Sequence, residues 1–329
     1  MKKRLLLIMP NFFDYPKIIK KELFELGYEV DFFDDRPSTS ALVKAVIRVK
    51  PSLLKKYISK YFDDMMKSVR KKKYDFVFII SGQSLSFDEE MIAELKESQS
   101  NAKFILYQWD SVKNFRPILK VQKYFDKKYS FDKNDCYDNP SFEFLPLFYC
   151  DRYKQIGKLK TENYKYDYSF VGTAHPKKFK FIKMMDEQLK LVYNKSFIYY
   201  FLPSKLVYFY RKIKNKEFKS AKLKDFHYVP LTENELNNIF INSKCILDCP
   251  QDNQVGLTIR VIETLGAKKK LITTNSDIVN YDFYRPENIY VYDSKLDIDN
   301  VFFSSDYVEI DRNVYEKYSL NNWLKEILN

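Results

Sequence analysis

Arg260 and Glu263, a cation and a carboxylate three residues apart, carry the most suggestive spacing in the chain. They fall within DCPQDNQVGLTIRVIETLGAKKKLITTN, residues 248–275. Residues at i and i+3 share one face of a helix. Leu257, Val261, Ile262 and Leu265 form a one-sided apolar stripe around them, which predicts a helix over 257–265. A polar loop over 250–256 precedes it, closed by Gly256. Gly266 stands where a helix C-cap is expected, and Lys268, Lys269 and Lys270 place cations at the negative helix end. A guanidinium suits a diphosphate, and a carboxylate suits a pair of ribose hydroxyls. The loop end and helix start at Gly256, Leu257 and Thr258 form the kind of helix N-terminus at which anions bind. The same spacing also fits an ordinary i, i+3 surface pair on a packed helix.

The elements that must position these residues read as α/β. CILDC at 245–249 is the end of an apolar strand and 271–274 is the next strand, so the block is strand–loop–helix–strand. The chain opens with a strand at 4–9, a loop at 10–16, a helix at 17–26 closed by Gly27, and a strand at 28–33. This β-α-β start is that of a doubly wound domain. A long basic helical region spans 38–73, broken at Pro51. Strands follow at 74–80 and 103–107, with a loop at 81–84 and a helix at 88–97 between them. Segments 125–130 and 142–145 finish the first half. A polar, Lys-rich stretch at 150–165 marks the boundary. The second half holds a strand at 166–171, a helix at 177–193, an aromatic and basic insert at 197–224, a strand at 226–229, a helix at 233–241, a strand at 289–292 and a final helix at 313–328.

The segment GLTIRVIETLGAKKKLITTN, with Ile278 and YDFY at 281–284, resembles the donor-site segment of bacterial glycosyltransferases of the GT-B fold. The similarity is greatest to those of capsular-polysaccharide and lipopolysaccharide clusters. Supporting segments are SFVGTAHPKK at 169–178, YQWDS at 107–111 and FDKKYSFD at 125–132. The resemblance implies two Rossmann-like domains facing a cleft: 1–155 on the acceptor side, 156–310 binding the nucleotide-sugar donor, and a helix at 311–329 crossing back to the first. It implies that the loop of Gly172, Thr173 and His175 faces the donor phosphates, with His175, Lys177 and Lys178 as donors of hydrogen bonds. The expected co-substrate is a nucleotide-sugar, with no further cofactor, and the expected acceptor is a surface glycan, lipid-linked. An inverting transfer needs a base near the acceptor hydroxyl. Asp110, at a strand's carboxyl end, is the first candidate and Asp14 the second; helix capping or turn formation would equally explain both. Many retaining relatives carry an earlier glutamate before the position of Glu263, whereas this chain has Asp252, Asn253 and Gln254. Asp297–Ile298–Asp299 has the form of a metal-binding triplet but sits late in a polar stretch and reads as a turn. No metal is therefore expected, the leaving diphosphate being met by cations and helix dipoles.

Composition bounds the alternatives. A chain of 329 residues predicts about two domains. Its 6 Gly, with no G-x-G-x-x-G and no Walker sequence, argue against a glycine-rich phosphate loop. The net charge of +12 favours anionic partners, and charge alone would allow a non-catalytic nucleic-acid-binding protein. Another two-domain nucleotide-sugar enzyme, such as an epimerase, is a further alternative. The reading preferred here involves no nucleic acid. The 4 Cys and 2 His argue against a zinc site or a disulfide framework and fit reduced thiols in a cytoplasmic protein. The apolar run after MKKR ends at Met9–Pro10 and reads as a strand, and no run reaches the ~18 residues of a membrane span. The basic–aromatic segments 44–73 and 197–224 suit peripheral attachment to an anionic membrane face. They also suit single-stranded nucleic acid, or packing on their own domain.

Overall fold

The computed structural model describes residues 2–38, 40, 43, 47, 51–250, 255–293 and 300–329. It divides into two units, Met1–Pro146 with Leu320–Asn329, and Leu147–Ser319. Asp252, Asn253, Gln254 and the triplet at 297–299 lie outside the described residues, as does much of 39–50.

The first unit is a six-stranded sheet, wholly parallel, in the order β2-β1-β3-β4-β5-β6. The strands are β1 (Arg4–Ile8), β2 (Glu29–Phe33), β3 (Phe76–Ser81), β4 (Lys103–Gln108), β5 (Lys127–Ser130) and β6 (Glu143–Phe144). β1, β3 and β4 are apolar on both faces because helices cover both. One face packs on α2 (Lys55–Val69) and α3 (Glu89–Ser98) through Phe62, Met65, Met66, Ile92 and Leu95. α1 (Tyr15–Glu25) ends in a turn that Gly27 makes with φ 93°, where a Cβ would be strained.

The second unit is also a six-stranded parallel sheet, ordered β12-β11-β10-β7-β8-β9. Its strands are β7 (Tyr166–Thr173), β8 (Ser196–Phe201), β9 (Phe226–His227), β10 (Ser243–Asp248), β11 (Lys270–Thr273) and β12 (Ile289–Val291). Its helices include α4 (Asp151–Lys158), α5 (Pro176–Leu189), α6 (Lys205–Lys214), α7 (Glu233–Asn242), α8 (Ile259–Gly266) and α9 (Arg312–Lys317). Chain order along the sheet runs third, second, first, fourth, fifth, sixth, so the winding reverses between β7 and β10. In such sheets ligands bind outside the carboxyl ends of the strands at that reversal.

Several expectations are corrected. Residues 197–201, read as part of an insert, are most of strand β8. The final helix is two, α9 and α10 (Leu320–Leu328), and α10 belongs to the first unit. There α10 packs Trp323 against Phe78 and Tyr107, and Asn321 donates to Glu22 at 2.6 Å. The helix predicted over 257–265 is Ile259–Gly266. Leu257 is buried in the loop before it, and Thr258 is its N-cap, accepting from the Val261 N–H at 3.3 Å. Gly266 is the last helical residue and Ala267 the C-cap. A Cβ on Gly266 would stand 2.5 Å from the Tyr149 ring, so close packing and not a left-handed turn requires glycine there. The lysines after it do not serve their own helix end. Lys268 pairs with Glu309 at 2.6 Å. Lys269 is buried and donates to the Ile241 carbonyl at 3.0 Å, near the end of α7. Lys270 lies in β11 and donates to Glu287 O and Ser305 Oγ, each at 2.8 Å.

Candidate functional site

β7 ends at Thr173 and leads through Ala174 and His175 into α5, whose N-cap is His175 and whose first residue is Pro176. Proline suits that position because its missing N–H would be unpaired anyway. β10 ends at Asp248, and α8 starts from the Thr258 cap. Two helix N-termini thus follow the two strands at which the winding reverses.

Asp248, only 1% exposed, joins them. Thr258 Oγ1 donates to Asp248 Oδ2 at 2.9 Å, and Lys178 Nζ, in the first turn of α5, approaches Asp248 Oδ1 at 3.7 Å. The carboxylate therefore ties the end of β10 to the α8 cap and to the α5 start. Asn275, after β11, donates to the Val255 carbonyl at 2.9 Å and fixes the other flank of the loop. Of the sequence-derived candidates, the structure places His175, Gly256, Leu257 and Thr258 on these two connections, whereas Gly172 and Thr173, expected in a loop, are the last residues of β7, held in the sheet opposite Tyr200 and Phe201 of β8. Lys177 is exposed on the first turn of α5, and it is Lys178 that reaches inward.

Arg260 and Glu263 form the i, i+3 pair, with Arg260 Nη1 2.8 Å from Glu263 Oε2. The surface-pair alternative fails on burial: the Glu263 side chain is 4% exposed and that of Arg260 18%. Sequence reading missed the residues around them. Arg152, in the first turn of α4, lies 4.0 Å from Glu263 Oε1 and pairs with Glu233, the first residue of α7, at 3.2 Å. Arg260 lies over the Phe240 ring at 5.1 Å and Arg152 over Tyr153 at 5.0 Å. Burial, and then the Glu263 carboxylate, push the Tyr153 phenol above its ordinary range. The N-terminal turns of α4, α7 and α8 thus meet around two guanidinium groups. α4 approaches α8 closely because both are glycine where they touch: a Cβ on Gly157 would sit 2.6 Å from the Gly266 carbonyl. The usable signal was arginine itself. In a lysine-rich chain, an arginine at a helix start marks a site needing a planar fork of donors.

In the first unit, Asp110 follows the carboxyl end of β4, and Asp14 closes the loop after β1 at the N-cap position of α1. Their neighbours touch, with the Tyr15 and Trp109 rings 5.1 Å apart, edge to face. Asp110 Oδ1 accepts from the Ser111 N–H at 2.9 Å and from Asn114 Nδ2 at 2.7 Å, so this carboxylate shapes its own turn. Asp135 holds the same loop from beneath. It is 2% exposed and accepts from Ser111 Oγ, the Val112 N–H and Ser130 Oγ at 2.7–3.2 Å. Burial raises its pKa. Asp14 pairs with Lys17 at 3.2 Å, and the loop before it holds Phe13 at φ 48°, a strained value for a side chain of that size. Sequence reading also passed over Asp34–Asp35–Arg36 after β2. Asp35 is fully buried, with Arg36 Nε at 3.2 Å, and burial drives its pKa well up. Arg36 Nη2 donates to the Asn11 carbonyl at 3.5 Å, linking this cluster to the loop after β1.

Among the described residues no group of three or more His, Cys, Asp or Glu could hold a metal ion, and no helix is long and apolar enough to cross a membrane. No protein-family model and no curated protein matches the sequence. Solved structures do match. An alpha-glucosyltransferase in complex with UDP and a 13-mer DNA superposes with a TM-score of 0.57 at 14% identity, covering 99% of this chain and 94% of that one. Anabaena Alr3699/HepE in complex with UDP gives 0.59 at 9% identity, covering 99% of both. Sucrose-phosphate synthase from Thermosynechococcus elongatus gives 0.54 at 11% identity, covering 99% and 90%. These similarities establish the fold: two parallel six-stranded α/β sheets in the GT-B fold.

Proposed function

We propose that the protein is a glycosyltransferase that moves a sugar from a nucleotide-sugar donor to a surface-glycan acceptor. The observation that carries this reading is the meeting of the α5 and α8 N-termini at the reversal between β7 and β10, tied by Lys178–Asp248–Thr258. Backbone N–H groups at two helix starts, with a cation beside them, suit a diphosphate. UDP bound to structural neighbours supports the same assignment. The second unit is the donor side in this reading. Gly172, Thr173, His175, Gly256, Leu257 and Thr258 line the phosphates; Arg260 and Glu263 serve the nucleotide, with Arg152 holding Glu263 in place.

The acceptor hydroxyl attacks the anomeric carbon as the bond from that carbon to the diphosphate breaks. The electron pair leaves with the diphosphate, which the helix N-termini and cations stabilise without a metal. The proton passes to a carboxylate of the first unit, Asp110 or else Asp14. Both bonds named for Asp110 use Oδ1, so Oδ2 is the atom assigned to the proton. The resemblance at 169–178 and 256–275 supports a place in capsular-polysaccharide or lipopolysaccharide assembly, with a lipid-linked acceptor at the cytoplasmic face of the membrane.

Thermal shift and calorimetry against UDP, GDP, dTDP and CMP test the donor reading. A ligand at ~100 times its dissociation constant adds about 2.7 kcal/mol to the folded state. One of the four should bind, and Lys178→Met and Thr258→Val should weaken it. Absence of binding by all four, with RNA binding that falls steeply with salt, would overturn the proposal.

A further inference from the structure

Helix α6 is built inside out. Ser204 caps it, accepting from the Val207 N–H at 3.3 Å. Tyr208 fixes its inner side: it is 4% exposed, donates to the Ala221 carbonyl at 3.1 Å and packs on Phe226. Arg211 and Lys212 are also turned to the body. Arg211 donates to the Ala174 carbonyl and lies over the Phe218 ring, and Lys212 donates to the Ala221 carbonyl at 2.5 Å. Of the cations in the basic–aromatic segment 197–224, these two therefore do not face outward.

The opposite side is apolar and open. Leu206 is 80% exposed, Phe209 53%, Tyr210 63% and Ile213 83%. At about 100° per residue these four occupy an arc of about 100°. Lys205 and Lys214, both exposed, border that arc on either side, and Lys216 and Lys219 continue the exposed cations past the helix end. A helix of this kind ordinarily buries its apolar arc in its own domain. Here the domain takes Tyr208 and the two polar heads, and the arc faces solvent. A contiguous apolar patch rimmed by cations marks an interaction surface.

We infer that this face of α6 docks on an anionic phospholipid surface. Leu206, Phe209, Tyr210 and Ile213 enter the boundary between headgroups and acyl chains, and Lys205 and Lys214 meet the headgroup phosphates. The charge argues for a lipid occupant. The apolar arc would accept any apolar face, but a flanking row of lysines on both edges complements a sheet of phosphates and would repel a second copy of the same helix. The surface extends the proposed function by naming what would hold the enzyme beside a lipid-linked acceptor. It stands apart from the donor site, since nucleotide binding is measured without membranes.

The experiment is co-sedimentation of the full chain with phosphatidylcholine vesicles containing about one-third phosphatidylglycerol, at low and high salt. The wild type should sediment with the anionic vesicles, lose binding as salt rises, and bind pure phosphatidylcholine at least ~10-fold more weakly. Leu206→Asp/Ile213→Asp and, separately, Lys205→Glu/Lys214→Glu should each lower binding by ~10-fold or more while UDP calorimetry stays unchanged. These positions are solvent-facing, so the variants should fold. Three results would overturn the inference: no sedimentation of the wild type at low salt, variants that bind as well as wild type, or a wild-type dimer in solution that Leu206→Asp/Ile213→Asp dissociates without any vesicle binding.

Discussion

Removing Arg260 should be far more costly than removing half of a surface ion pair, and the burial of Glu263 sets the size. The carboxylate has Arg260 Nη1 at 2.8 Å and Arg152 Nη2 at 4.0 Å, and its side chain is 4% exposed. An exposed pair contributes about 0–1 kcal/mol. At ~4 Å and an effective dielectric of ~20, one unit pair is worth about 4 kcal/mol, and stripping a buried carboxylate of its partner costs about 3–5 kcal/mol. Arg152 remains, at a longer distance and shared with Glu233, so Arg260→Met should destabilise by about 2–4 kcal/mol. The double variant Arg260→Met/Glu263→Gln removes the stranded charge and should return to within ~1.5 kcal/mol of wild type. Urea midpoints at unchanged m, assembled into a double-mutant cycle, measure the coupling. A single-variant cost below ~1 kcal/mol with no coupling would refute the burial reasoning and restore the picture of a surface pair. Nucleotide affinities of these variants must be read beside their stabilities, because Arg260→Ala would disturb the cluster as well as any ligand contact.

Three further outcomes are expected. Gly266→Ala should destabilise by about 1–3 kcal/mol, since its Cβ would meet the Tyr149 ring at 2.5 Å; urea denaturation checks this, and the gain of ~1 kcal/mol that alanine brings at an open helical glycine would contradict it. Burial lowers the Lys269 pKa to about 8 from 10.5. The unfolded chain therefore binds the extra proton between about pH 8 and 10.5, and stability should rise with pH across that window by up to about 3 kcal/mol from this group; subtracting the pH profile of Lys269→Met should expose that rise, and identical profiles would exclude it. Asp110→Asn should cut kcat by at least ~10-fold while donor affinity stays, the pattern of a group used in the transition state; retained turnover in a donor-transfer assay would move the base to Asp14.

The strands and helices were largely legible in the sequence because each announces itself locally. Runs such as RLLLI and FVFIIS are apolar on both faces only if both faces are covered, which points to parallel sheets between helices. The 3.6-residue stripe at 257–265 located α8 to within two residues, and the aromatic insert hid a strand because FIYYF lacks alternation.

What the sequence by itself determined is periodicity: which residues can share a face, and where a chain must turn. Which body that face meets was decided by tertiary structure alone. Leu206, Phe209, Tyr210 and Ile213 have the spacing of a core stripe, yet they face solvent because Tyr208, on the other side, fills the space beside Phe226. Glu263 has the spacing of a surface partner, yet it is buried because Gly157 and Gly266 let α4 approach α8 and bring Arg152 beside it. Lys269 and Lys270 follow a helix as surface cations would, yet they are buried because the strand they enter lies inside the sheet, beside β10 and β12. Each outcome depends on the distance between elements far apart in the chain, which no local spacing encodes.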